Sequence, residues 1–188
     1  MEKSYLYHAV PDKLHGEDLV PLNILKKENF ELYLDRAQKY MGRKDIMEDH
    51  IIGMEGVKWN DVIHMSAIHP NDLYQALKKG MKKAGMNEIQ ITEKIKEFED
   101  IEFYKIDPEL LAPNQTVIYI HSADQKKHSF AYSPEVVADY SSIPEETIDY
   151  YAEKFQHGER PLLFVGIPHI LHNGVIKRIS DFPVVAIN

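Results

Sequence analysis

The sequence predicts an α+β fold: a single domain over residues 1–188, with a mixed or antiparallel central sheet and flanking helices. Three observations carry this. Short runs alternate with period two at residues 4–10 and 62–67, and the run Thr116–His121 is apolar on both faces. Other stretches repeat apolar residues at helical spacing, above all Leu73, Ala76, Leu77, Met81 and Ala84. The two kinds interleave without a regular βαβ rhythm, and no linker or internal repeat divides the chain.

Taken in order, residues 4–10 read as a first strand, with Leu6 and His8 on one face and Tyr5, Tyr7 and Ala9 on the other. Pro11 and Gly16 break it. Asn29 is placed to cap a helix with the stripe Phe30, Tyr33, Leu34, Ala37 and Met41, ended by Gly42. Residues 43–58 show no clear period. In the strand at 62–67, Val62, His64 and Ser66 share one face, and Ile63, Met65 and Ala67 the other. Pro70 cannot donate to a ladder, so it ends that strand and opens a helix, which Gly85 closes. A weaker helix uses Ile91, Ile95 and Phe98, a short strand spans residues 101–106, and Asp107-Pro108 turns out of it. Thr116–His121 reads as an interior strand, and residues 124–133 as a polar loop or edge hairpin. Ser142 with Glu145 fits a capping box for a helix burying Ile148, Tyr151, Ala152 and Phe155. Residues 161–165 read as a second doubly apolar strand, 167–171 as one helical turn, and 175–179 and 184–187 as closing strands.

The formal net charge of -8 argues against a nonspecific grip on nucleic acid or on an anionic membrane, which reward clustered Lys and Arg. With no cysteine, disulfides, thiol nucleophiles and thiolate zinc sites are excluded. The N-terminal residues lack an apolar signal core and no apolar run is long enough to span a bilayer, so the expected location is cytoplasmic. No glycine-rich phosphate loop, dinucleotide fingerprint, H-E-x-x-H or G-x-S-x-G motif is present.

Histidine, ten in all, is the chemistry that remains. His169 and His172 would share a face on a helical turn and could begin a zinc site, but no third ligand stands at a recognisable spacing, so no metal is expected. His8 reads either as a satisfied strand residue or as a ligand contact. His64 is better placed, because alternation pairs it with Ser66 on a face open to a pocket. His69, just before Pro70, reads first as a helix cap, and Trp59 first as packing. Glu159 stands close to an apolar run and is a candidate carboxylate for a cleft, with surface placement the default.

Three pieces in this order resemble the ADP-ribosyltransferase fold, in particular its toxin-type, DNA-modifying members. Tyr5-Leu6-Tyr7-His8 is similar to the first, histidine-bearing strand; the run from His64 to Tyr74 is similar to the strand-Ser-Pro-helix segment; the run from Leu162 to Pro168 resembles the strand at the catalytic glutamate. In that family a first-strand histidine holds the NAD ribose, an aromatic ring stacks on nicotinamide, and a glutamate offsets the developing oxocarbenium charge. The resemblance thus implies NAD as cofactor, His8, His64 and Glu159 as catalytic candidates, and Tyr7, His8, Trp59, Ser66 and His69 as the binding set. Two departures stand out. Pro161 or Leu162 occupies the place of the glutamate, with Glu159 only nearby, and the arginine of the Ser-Pro segment is missing, with His69 nearby instead. Two functions follow: an NAD-dependent transferase acting on a nucleotide-like or nucleic-acid substrate, or a non-enzymatic binding or interaction protein that keeps the scaffold. A histidine-based metal hydrolase is a third. No protein partner is legible.

Overall fold

The computed structural model describes residues 4–41, 44–99, 101–121 and 126–187. Among them, seven strands pair antiparallel throughout: β1 (Leu6–Ala9), β2 (Ile63–Ser66), β3 (Glu102–Ile106), β4 (Thr116–His121), β5 (Lys127–Ala131), β6 (His169–His172) and β7 (Val184–Ala186). The order across the sheet is β5-β4-β6-β2-β1-β3-β7. The helices are α1 (Leu22–Glu28), α2 (Phe30–Ala37), α3 (Lys44–Glu48), α4 (Pro70–Lys83), α5 (Glu88–Ile95) and α6 (Glu145–Gln156), which complete a single α+β domain.

The two sheet faces are covered differently. On one, Leu6, Ile63, Met65, Ile106, Ile118 and Ile170 make the largest core cluster, closed over by Leu19, Leu111, Val137 and Ile179 from loops and 3₁₀ turns. On the other, Val117, Tyr119 and Leu171 meet Ile51 and Val62, with Trp59 at the edge. The helices α4, α5 and α6 bury their stripes together, Leu77, Met81, Ile95 and Tyr151 among them. Each such side chain withdrawn from water contributes about 1.5–3 kcal/mol. Gly80 allows α4 to approach α6 closely, since a Cβ there would lie 2.6 Å from Tyr151 Cβ.

Several local expectations hold. Asn29 caps α2 by accepting from Leu32 N, Pro70 opens α4 with His69 as its cap, and Gly85 follows α4 at φ +86. Ile91, Ile95 and Phe98 are buried as expected, β4 is interior, and the polar stretch after it contains the edge strand β5. Gly42, expected to end the helix capped by Asn29, lies outside the described residues.

Others are corrected. Residues 161–165 are not a strand: 163–166 form a turn, Leu162 is exposed, and Leu163 and Val165 are half-buried. The turn's carbonyls are met by side chains of α6, Thr147 donating to Val165 O at 3.0 Å and Tyr151 to Leu163 O. The expected helical turn at 167–171 is instead β6, bonded to β2 and β4 on its two sides. Residues 175–179 give an isolated bridge at Ile176 and then a 3₁₀ turn. Ser142 does not cap α6; Pro144 occupies the cap position, and Glu145 and Glu146 face the helix dipole. In α2 the buried residue is Leu32, while Phe30, Leu34 and Met41 of the expected stripe are exposed.

One feature of the sheet positions a site. β1 is paired with β3 along its whole length but with β2 only at Tyr7↔Ser66. Beyond that pair β1 and β2 part, and His8 stands in the opening.

Candidate ligand-binding site

The opening between β1 and β2 is walled by α1, α2 and the 3₁₀ turn Gln38–Tyr40, which leave a cavity of about 470 Å³. Its lining runs from His8 to Lys13, through Leu19 to Leu22, and over Asp35, Arg36, Lys39, Tyr40 and His64. The wall is anchored by a reciprocal amide pair: Asn23 of α1 donates to Asn60 Oδ1 at 3.1 Å, and Asn60 donates to Asn23 Oδ1 at 2.9 Å. Asn60 is buried, and the pairing ties α1 to the turn that leads into β2.

His8 Nδ1 lies 2.7 Å from the backbone oxygen of His64. A carbonyl can only accept, so Nδ1 carries the proton and Nε2 keeps its lone pair. Burial pushes His8 down to about 4, against the pull of that hydrogen bond, and Lys39 and Arg36 push it the same way. The ring is therefore neutral near pH 7. At Nε2 it can accept a hydrogen bond from a ligand hydroxyl, while its one N–H proton is committed to the His64 carbonyl and is not free to serve a general acid.

His8 and His64 both line the cavity, yet they meet through the His64 carbonyl and not ring to ring. The register Tyr7↔Ser66 puts the two side chains on opposite faces of the sheet. The His64 ring lies against Trp59, centroids 4.3 Å apart, with Nε2 3.1 Å from Trp59 O. It lies 6.3 Å from His169, which in turn meets Trp59 at 6.0 Å and Phe164 at 5.8 Å. His64 is held well below its ordinary value by burial first, then by His169 and Lys39; burial likewise takes His169 to about 4. Two neutral imidazoles thus stand in an aromatic cluster on the face away from His8.

The other candidates divide. Tyr7 is buried edge-on against His69, centroids 5.2 Å apart. Ser66 is buried and accepts from Ile68 N at 3.0 Å, and His69 Nδ1 accepts from Asn71 N at 3.2 Å; both serve the turn into α4. Trp59 belongs to the aromatic cluster, in a 3₁₀ turn before β2. Glu159 is exposed, does not line the cavity, and is paired with Lys154 at 2.7 Å, which holds its carboxyl below the usual range. The carboxylates that do line the cavity are Asp12 and Asp35, both exposed.

His169 and His172 cannot share a metal as expected on a helical turn, because three residues apart on a strand they point to opposite faces. His172 Nδ1 lies 2.9 Å from Thr116 Oγ1, whose hydroxyl donates to Ala112 O at 2.8 Å, so the imidazole is the donor of that pair. Among the described residues, no group of three or more His, Asp or Glu side chains is arranged to hold a metal ion, and no helix is long and apolar enough to cross a membrane.

Sequence reasoning missed Arg36, Lys39 and Lys13 as cavity residues. The first two stand three apart, a spacing that reads as a solvated helix surface unless the partner strand is known. No family model, curated protein or solved structure matches the chain.

Proposed function

We propose that this protein binds a nucleotide-like ligand, with NAD the first to test, in the cavity between β1 and α2. The observation that carries the reading is a cavity of about 470 Å³ lined by neutral His8 together with Lys13, Arg36 and Lys39. The volume lies within the range of about 300–1,000 Å³ common to small-molecule sites. The donor set suits a phosphate-bearing ligand, and the His8 ring suits a sugar hydroxyl. The resemblance to the ADP-ribosyltransferases adds the chemistry: NAD, when bound, supplies the ADP-ribosyl group for a nucleotide-like or nucleic-acid acceptor. In that reaction this chain would have to place a carboxylate beside the ribose, and the cavity offers Asp12 and Asp35.

A second reading, a binding protein without transferase activity, is favoured by one observation. Glu159, the carboxylate nearest the family's glutamate position, is exposed and engaged by Lys154. Thermal denaturation with NAD, ADP-ribose and AMP, combined with chromatography for released nicotinamide, tests both. Ligand at 100 times its Kd should stabilise by about 2.7 kcal/mol, or about 5–11 °C for a chain of this size. A shift without nicotinamide release selects the binding protein. No shift with any of the three refutes the nucleotide reading.

A further inference from the structure

We propose that the α2 side of the cavity is an anion clamp, centred on Arg36 and flanked by Lys39 and Lys13, that takes a diphosphate. The proposal rests on the nucleotide reading for the identity of the whole ligand, but its own evidence is separate.

Arg36 is half-buried at the cavity wall, and one of its nitrogens, Nη2, donates to Lys13 O at 2.6 Å. Its Nε is buried and has no hydrogen-bond partner. A buried donor left unmet costs about 1–3 kcal/mol, so natural structures leave few of them. Among the described residues no carboxylate lies within ion-pair distance of Arg36, Lys39 or Lys13, and all three line the one cavity. In a chain of net charge -8, this lining sets three cations, Lys13, Arg36 and Lys39, against two carboxylates, Asp12 and Asp35, a local balance opposite in sign to that of the whole chain. The field of the cations reaches the site: Lys39 and Arg36 both act on His8, and Lys39 acts on His64. A guanidinium with one nitrogen anchored to the backbone is held in a fixed plane, the geometry suited to phosphate oxygens.

Isothermal titration calorimetry with inorganic pyrophosphate, ADP and adenosine, on the wild type and on Arg36→Gln, tests the clamp. ADP should bind the wild type, weaken as salt is raised, and lose about 30-fold or more in affinity in Arg36→Gln. Adenosine should bind the two proteins alike. Lys39→Gln, a substitution at an exposed position, should weaken ADP in the same direction and guards against a misfolded Arg36 variant. Equal affinity of ADP for the wild type and both variants, or no advantage of ADP over adenosine, overturns the clamp and leaves nucleotide binding standing. Pyrophosphate bound in an Arg36-dependent way, with no gain from the nucleoside, upholds the clamp and removes the nucleotide reading. No heat from any of the three probes overturns the clamp.

Discussion

Lowering the pH from 8 to 5 should destabilise this protein through its buried histidines. His8 and His169 are each held near 4 in the fold, against an ordinary value of about 6.5. A depressed histidine is neutral when folded and takes up its proton on unfolding, so its stability is complete above about pH 6.5 and is lost as pH falls toward 4. At pH 5 the unfolded ring is about 97% protonated and the folded one about 9%, which costs about 2 kcal/mol per histidine relative to pH 8. The two together cost about 4 kcal/mol, and His64, lowered by burial in the same direction, adds to it. That is a large share of a typical stability of about 5–15 kcal/mol. With a urea slope of about 2 kcal/mol/M, the unfolding midpoint should drop by about 2 M between pH 8 and pH 5. The carboxylates Asp18, Glu48, Glu135 and Glu159 are all lowered, so they titrate below this window. His8→Asn retains a donor for the His64 carbonyl without a titrating ring and should recover about 2 kcal/mol of the loss. A midpoint equal at pH 8 and pH 5, or folded-state NMR showing the His8 and His169 rings titrating near pH 6.5, refutes the reasoning.

Two further substitutions probe the frame around the site. Gly80→Ala should destabilise by about 1–3 kcal/mol, because its Cβ would lie 2.6 Å from Tyr151 Cβ, the stem of a fully buried side chain. This outweighs the gain in helix propensity of about 1 kcal/mol, and a denaturation midpoint at or above wild type would disprove the close α4–α6 approach. His64→Ala should cost about 1–3 kcal/mol by removing the ring from Trp59 and leaving Trp59 O without its donor. ADP affinity should stay within a few-fold, since the carbonyl that orients His8 is kept; loss of binding with unchanged stability would place the His64 ring in the cavity.

What the sequence by itself determined is what near neighbours decide. Pro70 has no N–H to give a strand and a φ suited to a first helical turn, and Leu73, Ala76, Leu77 and Met81 repeat at helical spacing, so α4 was legible with its buried face. The Asn29 cap was legible for the same reason, because its bond to Leu32 N spans three residues. The alternation at 62–67 correctly separated His64 from Met65. What only the tertiary structure decided depends on partners far along the chain. The run at 161–165 is apolar enough for an interior strand, but Thr147 and Tyr151 of α6 meet its carbonyls and hold it as a turn. His169 and His172 became strand residues because β2 and β4 offered ladders on both sides. Leu32, not Phe30 or Leu34, is buried because the orientation of α2 is set by its packing with Val20 and Leu25. The cavity exists because β1 follows β3 and leaves β2 after one pair, and the approach of Arg36 and Lys39 to His8 follows from where α2 then lies. Periodicity and capping report bonds closed within a few residues; a ladder partner, a split between strands and a convergence of charge are settled by residues dozens of positions apart.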